Sequence, residues 1–201
     1  AYTSTHAPPE RLRQTWDIIR GYPEITGLFI STRPDCLPPD VLDLVSSYRR
    51  DYLTWLELGL QSACDNTLRR INRGHTAADF IDATRRAHER GIPVCAHVIL
   101  GLPGENRSEM LETADLLARE GIEGLKLHVL HVLRDTPLER RHKQEPVKLL
   151  TQRGYVKLAC DFLERVPPRM VIQRLAVDVP GQELVAPLWC ARKRETVGMI
   201  E

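Results

Sequence analysis

Along this chain, short runs of apolar and β-branched residues alternate with longer stretches whose apolar positions recur every three or four residues. Ile25–Ser31, Tyr52–Leu58, Pro93–Leu100, Leu125–Leu130 and Met170–Val177 read as strands, and Tyr2–Thr5 as the tail of another. Glu10–Arg20, Asp40–Tyr48, Thr76–Arg90, Ser108–Glu120 and Gln152–Arg165 read as amphipathic helices, with a shorter one over Asn66–Asn72. Gly91 and Gly121 follow helical stretches, where a C-terminal cap belongs. Strand then helix, repeated, predicts an α/β fold of parallel strands joined by right-handed crossovers. Five or six such units in 201 residues make an incomplete parallel (β/α) barrel the economical arrangement, with a doubly wound open sheet as the alternative. One domain over residues 1–201 is expected.

Alternate residues of a strand face opposite sides. Thr54, Leu56, Leu58 and Leu60 share one mostly apolar face, and Trp55, Glu57, Gly59 and Gln61 the other. Val94, Ala96, Val98 and Leu100 oppose Cys95, His97 and Ile99. Leu125, Leu127 and Val129 oppose Lys126, His128 and Leu130. The apolar set must lie under the helices, so Glu57, Gln61, His97, Lys126 and His128 are expected to point into a barrel lumen. Buried polar groups are costly unless paired or serving a ligand. Most of these sit toward strand C-terminal ends, where barrel chemistry lies. An internal salt-bridge network is the competing reading.

Composition narrows the function without choosing it. Lys and Arg total 28 against 27 Asp and Glu, a formal net charge of +1, which argues against a chain built mainly to neutralise phosphates. No apolar run approaches the roughly 18 residues needed to span a bilayer, and the start resembles no signal peptide. Cys36, Cys64, Cys95, Cys160 and Cys190 form no close pair, which favours a reduced, cytoplasmic protein over a disulfide scaffold. The absence of an initiator methionine suggests a piece of a longer protein.

Several loops after strands carry candidate chemistry. Gly101-Leu102-Pro103-Gly104-Glu105 offers glycines for close backbone approach, or simply a tight turn. Thr32-Arg33-Pro34-Asp35 places charge near the mouth, for a ligand or for a loop salt bridge. Arg69, Arg70 and Arg73 sit close together after the third strand, counting the Tyr2–Thr5 tail; a solvated helix face is the preferred reading for the first two, and Arg73-Gly74 is the more pointed feature. His97, His128 and His131 do not make a metal site, because His128 and His131 fall on opposite strand faces. Cys190, with no base partner, reads as a partly buried thiol.

Taken together, Glu57-Leu58-Gly59-Leu60-Gln61-Ser62, Leu68 through His75, and His97 through Glu105 resemble radical S-adenosylmethionine (SAM) enzymes. The chain is similar to the branch with oxygen-independent coproporphyrinogen oxidase and elongator-type proteins, most of all to the YhcC-like family. Tyr2 through Pro8, Thr32 through Leu37, Lys126 through His131, and the tail Arg174–Ala176 with Ala186–Cys190 resemble that family's motifs. The resemblance implies a partial (β/α)6 barrel, here lacking its first strand, with a family-specific extension over about residues 166–201. It implies SAM and a 4Fe-4S cluster as cofactors, an unknown substrate, and an electron donor such as flavodoxin or ferredoxin. By the resemblance, Thr3, Ser4 and Thr5 contact the SAM amino group, Ser31 the nucleoside or methionine part, Gln61 and His97 the ribose, Arg73 the carboxylate and Ile99 the adenine. Glu57 and His128 join this cofactor-binding set.

The sequence departs from the family pattern in three places. Tyr-Thr-Ser-Thr replaces a glycine-rich strand end, His97 replaces an acidic residue, and no closely spaced cysteine triplet occurs. The cluster cysteines are therefore expected upstream of Ala1. A degenerate barrel that binds or scaffolds without a cluster, and a basic-face RNA binder, are the competing functions; the balanced charge speaks against the second.

Overall fold

A computed structural model describes residues 5–177 and 179–201. Thr3, Ser4 and most of the expected Tyr2–Thr5 strand tail lie outside the described residues. The strands are β1 (Gly27–Thr32), β2 (Leu53–Gln61), β3 (Val94–Leu100), β4 (Gly124–Val129), β5 (Val132–Leu133), β6 (Val171–Arg174) and β7 (Leu184–Ala186). The helices are α1 (Pro9–Trp16), α2 (Pro39–Tyr48), α3 (Asp65–Arg70), α4 (Ala77–His88), α5 (Arg107–Arg119), α6 (Pro137–Gln144), α7 (Gln152–Leu163) and α8 (Lys193–Ile200).

Strands β1, β2, β3, β4 and β6 form one parallel sheet, in that spatial order. The order fixes the winding. Strands added in one direction through right-handed crossovers leave every crossover helix on the same side. A doubly wound sheet needs a point where the order reverses, and this five-stranded sheet has none. One face is therefore covered by helices and the other, the inner face, is left to polar side chains.

The covered face is the apolar one expected from the alternation. Leu56, Leu58, Val94, Val98, Leu125 and Leu127 are at most 1 % exposed and share one core with Leu42 and Tyr48 of α2, Phe80 of α4, Leu117 of α5 and Phe162 of α7. Helix starts are set by side chains that satisfy the free N–H groups. Thr76 and Asp79 form a reciprocal capping box at α4, and Asn106 and Glu109 form another at α5. Gly91 and Gly121 follow these two helices with φ of 68° and 69°, the left-handed backbone that glycine adopts freely.

The elements depart from the sequence pattern at a few points. Glu10–Arg20 divides into α1 and a 3-10 turn over Asp17–Gly21. β2 continues to Gln61, and β6 stops at Arg174. The pattern predicts neither α6 and α8 nor the antiparallel pair of β5 and β7. That pair is followed by Trp189, whose Nε1 donates to the Leu150 carbonyl at 2.9 Å. Leu150 in turn covers Gly101, so the C-terminal segment is seated over the loop after β3. Among the described residues no helix is long and apolar enough to cross a membrane.

Candidate functional site

The inner face carries a connected row of polar side chains near the C-terminal ends of the strands. Ligands of parallel α/β sheets gather at that end. Glu57 is its hub. Its side chain is only 7 % exposed, yet it is ionised. Ser31 Oγ donates to Glu57 Oε2 at 2.6 Å, and Lys126 Nζ makes a short ion pair with Oε1. His97 Nε2 lies 3.4 Å from Oε2 without the orientation of a hydrogen bond, so this buried nitrogen has no hydrogen-bond partner among the described residues. Burial alone would raise the Glu57 pKa; His97, Lys126 and Ser31 outweigh it and hold the carboxyl at about 2.

His128 extends the row. Its ring stacks on His97 with centroids 5.6 Å apart, and Arg174 Nη1 lies 3.4 Å from its Nε2. Burial first, and then the neighbouring His97, Arg174, His131 and Lys126, push the His128 pKa down to about 3, so the ring is neutral. Ile99 lies opposite His128 in register and adds an apolar surface.

The other end of the row is a cradle around Gly59, the register partner of His97. A bulge there skips Leu60, and Gln61 adopts φ of 72°. Left-handed backbone at a non-glycine residue is strained, and such strain concentrates at functional sites. Arg73 reaches back from the turn after α3 and donates from Nη2 to the Gly59 carbonyl at 3.2 Å, and from Nε to His75 Nε2 at 3.0 Å. A Cβ on Gly59 would stand 2.4 Å from Arg73 Nη2 and 2.5 Å from Gln61 Nε2. Glycine at this position therefore makes room for both side chains. Burial and the nearby Arg33 lower the Arg73 pKa, although a guanidinium stays charged at any ordinary pH. Among the described residues Arg73 makes no ion pair with a carboxylate.

Seven of the ten candidate residues are thus brought together: Ser31, Glu57, Gln61, Arg73, His97, Ile99 and His128. Thr5 stands apart, its hydroxyl hydrogen-bonded to Thr32 Oγ1 at 2.5 Å and donating to the Cys36 carbonyl at 2.6 Å. Arg33 is held by Asp35 through two bonds of 2.7 and 2.9 Å, which is the loop salt bridge. Arg69 is exposed and bonded to Asn66, as expected. Arg70 is also exposed but in addition donates to the Pro103 carbonyl at 2.6 Å, tying α3 to the glycine loop. Cys190 is buried, its thiol pushed up to about 11 by burial.

Three residues outside the candidate set belong to this region. Lys126 is visible in the strand alternation. Glu105, in the glycine loop, accepts a short hydrogen bond from Ser62, and burial pushes its carboxyl up to about 7. Arg174 reaches the row because the β4–β6 register slips past Gln173 and pairs it with Lys126. A bulge of that kind leaves no mark in the residue pattern.

Residues 5–117 match the model of the Radical SAM superfamily, and residues 122–201 that of the Radical_SAM C-terminal domain. The chain is 45 % identical over 189 residues to uncharacterised protein MJ0486 of Methanocaldococcus jannaschii, covering 93 % of this chain and 59 % of that protein. It is 39 % identical over 202 residues to protein YhcC of Escherichia coli, covering 100 % of this chain and 65 % of that protein. The chain therefore spans about three-fifths of the length of these curated relatives. In fold it is similar to the archaeal Methanocaldococcus infernus Elp3, with a TM-score of 0.69 at 23 % identity over 80 % of this chain and 38 % of that one. The superfamily match covers more than half of the chain and runs through β1, the Gly59 cradle and β3, and the chain belongs to the radical SAM superfamily.

Proposed function

We propose that the inner face binds SAM within a radical enzyme acting on an unknown substrate, and that the sheet is one arc of a partial barrel. The superfamily uses SAM and a 4Fe-4S cluster. Bound together, these supply a 5′-deoxyadenosyl radical for hydrogen abstraction, chemistry that belongs to the cofactors rather than to protein side chains.

The residues present fit SAM. The single observation that carries the reading is the Gly59 cradle: a strained Gln61 and a carboxylate-free Arg73 share the space that a Cβ would fill. In this reading Arg73 holds the SAM carboxylate as a fork donor. Gln61 and His97 take ribose hydroxyls, His97 through an Nε2 that makes no hydrogen bond among the described residues, and Ile99 packs against the base. Glu57 fixes Ser31, His97 and Lys126 in place, and the neutral His128 supports the His97 ring. Thr3 and Ser4 serve the amino group; Thr5 is tied to the end of β1 and the turn after it through Thr32 and Cys36.

The cysteines do not fit the cluster. All five lie in separate elements, and among the described residues no three His, Cys, Asp or Glu side chains converge to hold a metal. We therefore assign the cluster ligands to another segment of the longer protein, N-terminal to Ala1, with an electron donor such as flavodoxin or ferredoxin as partner. The relatives are longer than the part this chain matches, which leaves room for such a segment.

Equilibrium dialysis of SAM against the full-length protein under anaerobic conditions tests the cradle. Gly59→Ala meets only the ends of two flexible side chains, so the fold is expected to be kept, as circular dichroism would show. It is expected to weaken SAM binding about tenfold or more, the loss of at least one charge-assisted bond. Unchanged binding in both Gly59→Ala and Gly59→Leu would contradict the reading.

A further inference from the structure

Arg174 is a second guanidinium on the inner face, and the SAM reading leaves it unused. It ends β6, is half-buried, and is paired in register with Lys126. Among the described residues it makes no ion pair, and its polar contact is His128 Nε2 at 3.4 Å. That ring is neutral and supplies no compensating charge. Glu57, the acidic member of the row, is taken by Ser31 and Lys126, with His97 alongside. Lys126 and Arg174 set against Glu57 leave one positive charge in excess on this part of the face. A partly buried cation without a counter-ion is costly and is normally paired or used.

The row also has a direction. Arg73 stands at one end, over Gly59; His97 and His128 stack in the middle; Arg174 stands at the other end, on the far side of the imidazoles. One guanidinium suffices for the SAM carboxylate. We propose that Arg174, with Lys126 beside it, anchors an oxyanion of the substrate: a carboxylate or phosphate group held at the opposite end of the face from Arg73. A guanidinium gives such a group two parallel charge-assisted bonds. This rests on reading the Gly59 end as the SAM site, since that reading leaves the Arg174 end to the substrate.

The test is calorimetric titration of inorganic phosphate, and separately of acetate, into the full-length protein, against sodium chloride of matched ionic strength. Saturable binding of at least one oxyanion is expected, weakened about tenfold or more in Arg174→Gln. Arg174→Lys is expected to keep part of it, and serves as the second variant should Arg174→Gln fail to fold. Phosphate bound ahead of acetate assigns a phosphorylated substrate, and the reverse a carboxylate. SAM affinity measured on the same samples is expected to stay within about twofold in Arg174→Gln. Three results would overturn the proposal: heats no different from sodium chloride, oxyanion binding indifferent to both substitutions, or loss of SAM affinity in Arg174→Gln, which would put Arg174 in the SAM site. Arg174-dependent oxyanion binding in a protein that binds no SAM would uphold this anchor and remove the SAM reading alone.

Discussion

Glu57 shows how one buried carboxylate is held ionised by its surroundings. It neutralises Lys126 and orients Ser31, so its loss strands an ammonium group on a half-buried face. Breaking a buried pair from one side costs about 3–5 kcal/mol. Glu57→Gln is therefore expected to lower stability at pH 7 by that order in urea unfolding. The pH dependence has a definite sign. The folded carboxyl sits at about 2, below its ordinary 4.5, so its contribution is complete above about 4.5 and drains away as the pH falls toward 2. Parent and variant are expected to converge in stability across that window; a gap that stays constant from pH 7 to pH 3 would mean that the pair is not the source. Strand alternation alone sorts Glu57, His97, Lys126 and His128 onto one face, because β3 and β4 keep an unbroken period of two. Gln61 reaches that face through its φ of 72°, and Arg174 through a register slip. The first agrees with the alternation by a different route; the second is invisible to it.

Helices whose ends are written in side-chain chemistry are legible, and those without an apolar stripe are not. α4 and α5 combine a stripe with a capping box, and their ranges follow from the sequence to within two residues. α6 has the start signature Thr136-Pro137-Leu138-Glu139, with Thr136 accepting from the Glu139 N–H, but its eight residues are nearly all polar. β5 and β7 have two and three residues, too few for alternation to register. The Asn106 cap bears on function as well as stability, because it starts α5 directly after the Gly101–Glu105 loop. Asn106→Ala is expected to cost about 1 kcal/mol, read as a lower melting temperature. Asn106→Asp is expected to retain most of that stability. Equal loss in both variants would show that the cap hydrogen bond is not what Asn106 contributes.

The fold as a unit divides its labour by face: helices and apolar residues on one side of five parallel strands, and a charged row on the other. The winding was readable as strand–helix alternation. The placement of Arg73 was not, since it depends on a turn after α3 folding back onto a glycine in β2. The resemblance implies a role for Arg73, and the structure shows there a half-buried guanidinium that makes no ion pair with a carboxylate among the described residues. The measurement that bears on this most directly is anaerobic calorimetry of SAM binding to the full-length protein and its Arg73→Ala, Arg73→Lys and Arg69→Ala variants, with circular dichroism to show that each is folded. Losing hydrogen bonds to a charged group costs roughly 1.5–3 kcal/mol, so Arg73→Ala is expected to raise the SAM Kd by about 10- to 150-fold. Arg73→Lys is expected to recover part of that, and Arg69→Ala, exposed and bonded to Asn66, to change little. A folded Arg73→Ala protein that binds SAM as the parent does would contradict the assignment and leave Arg73 as a tether between the α3 turn and β2.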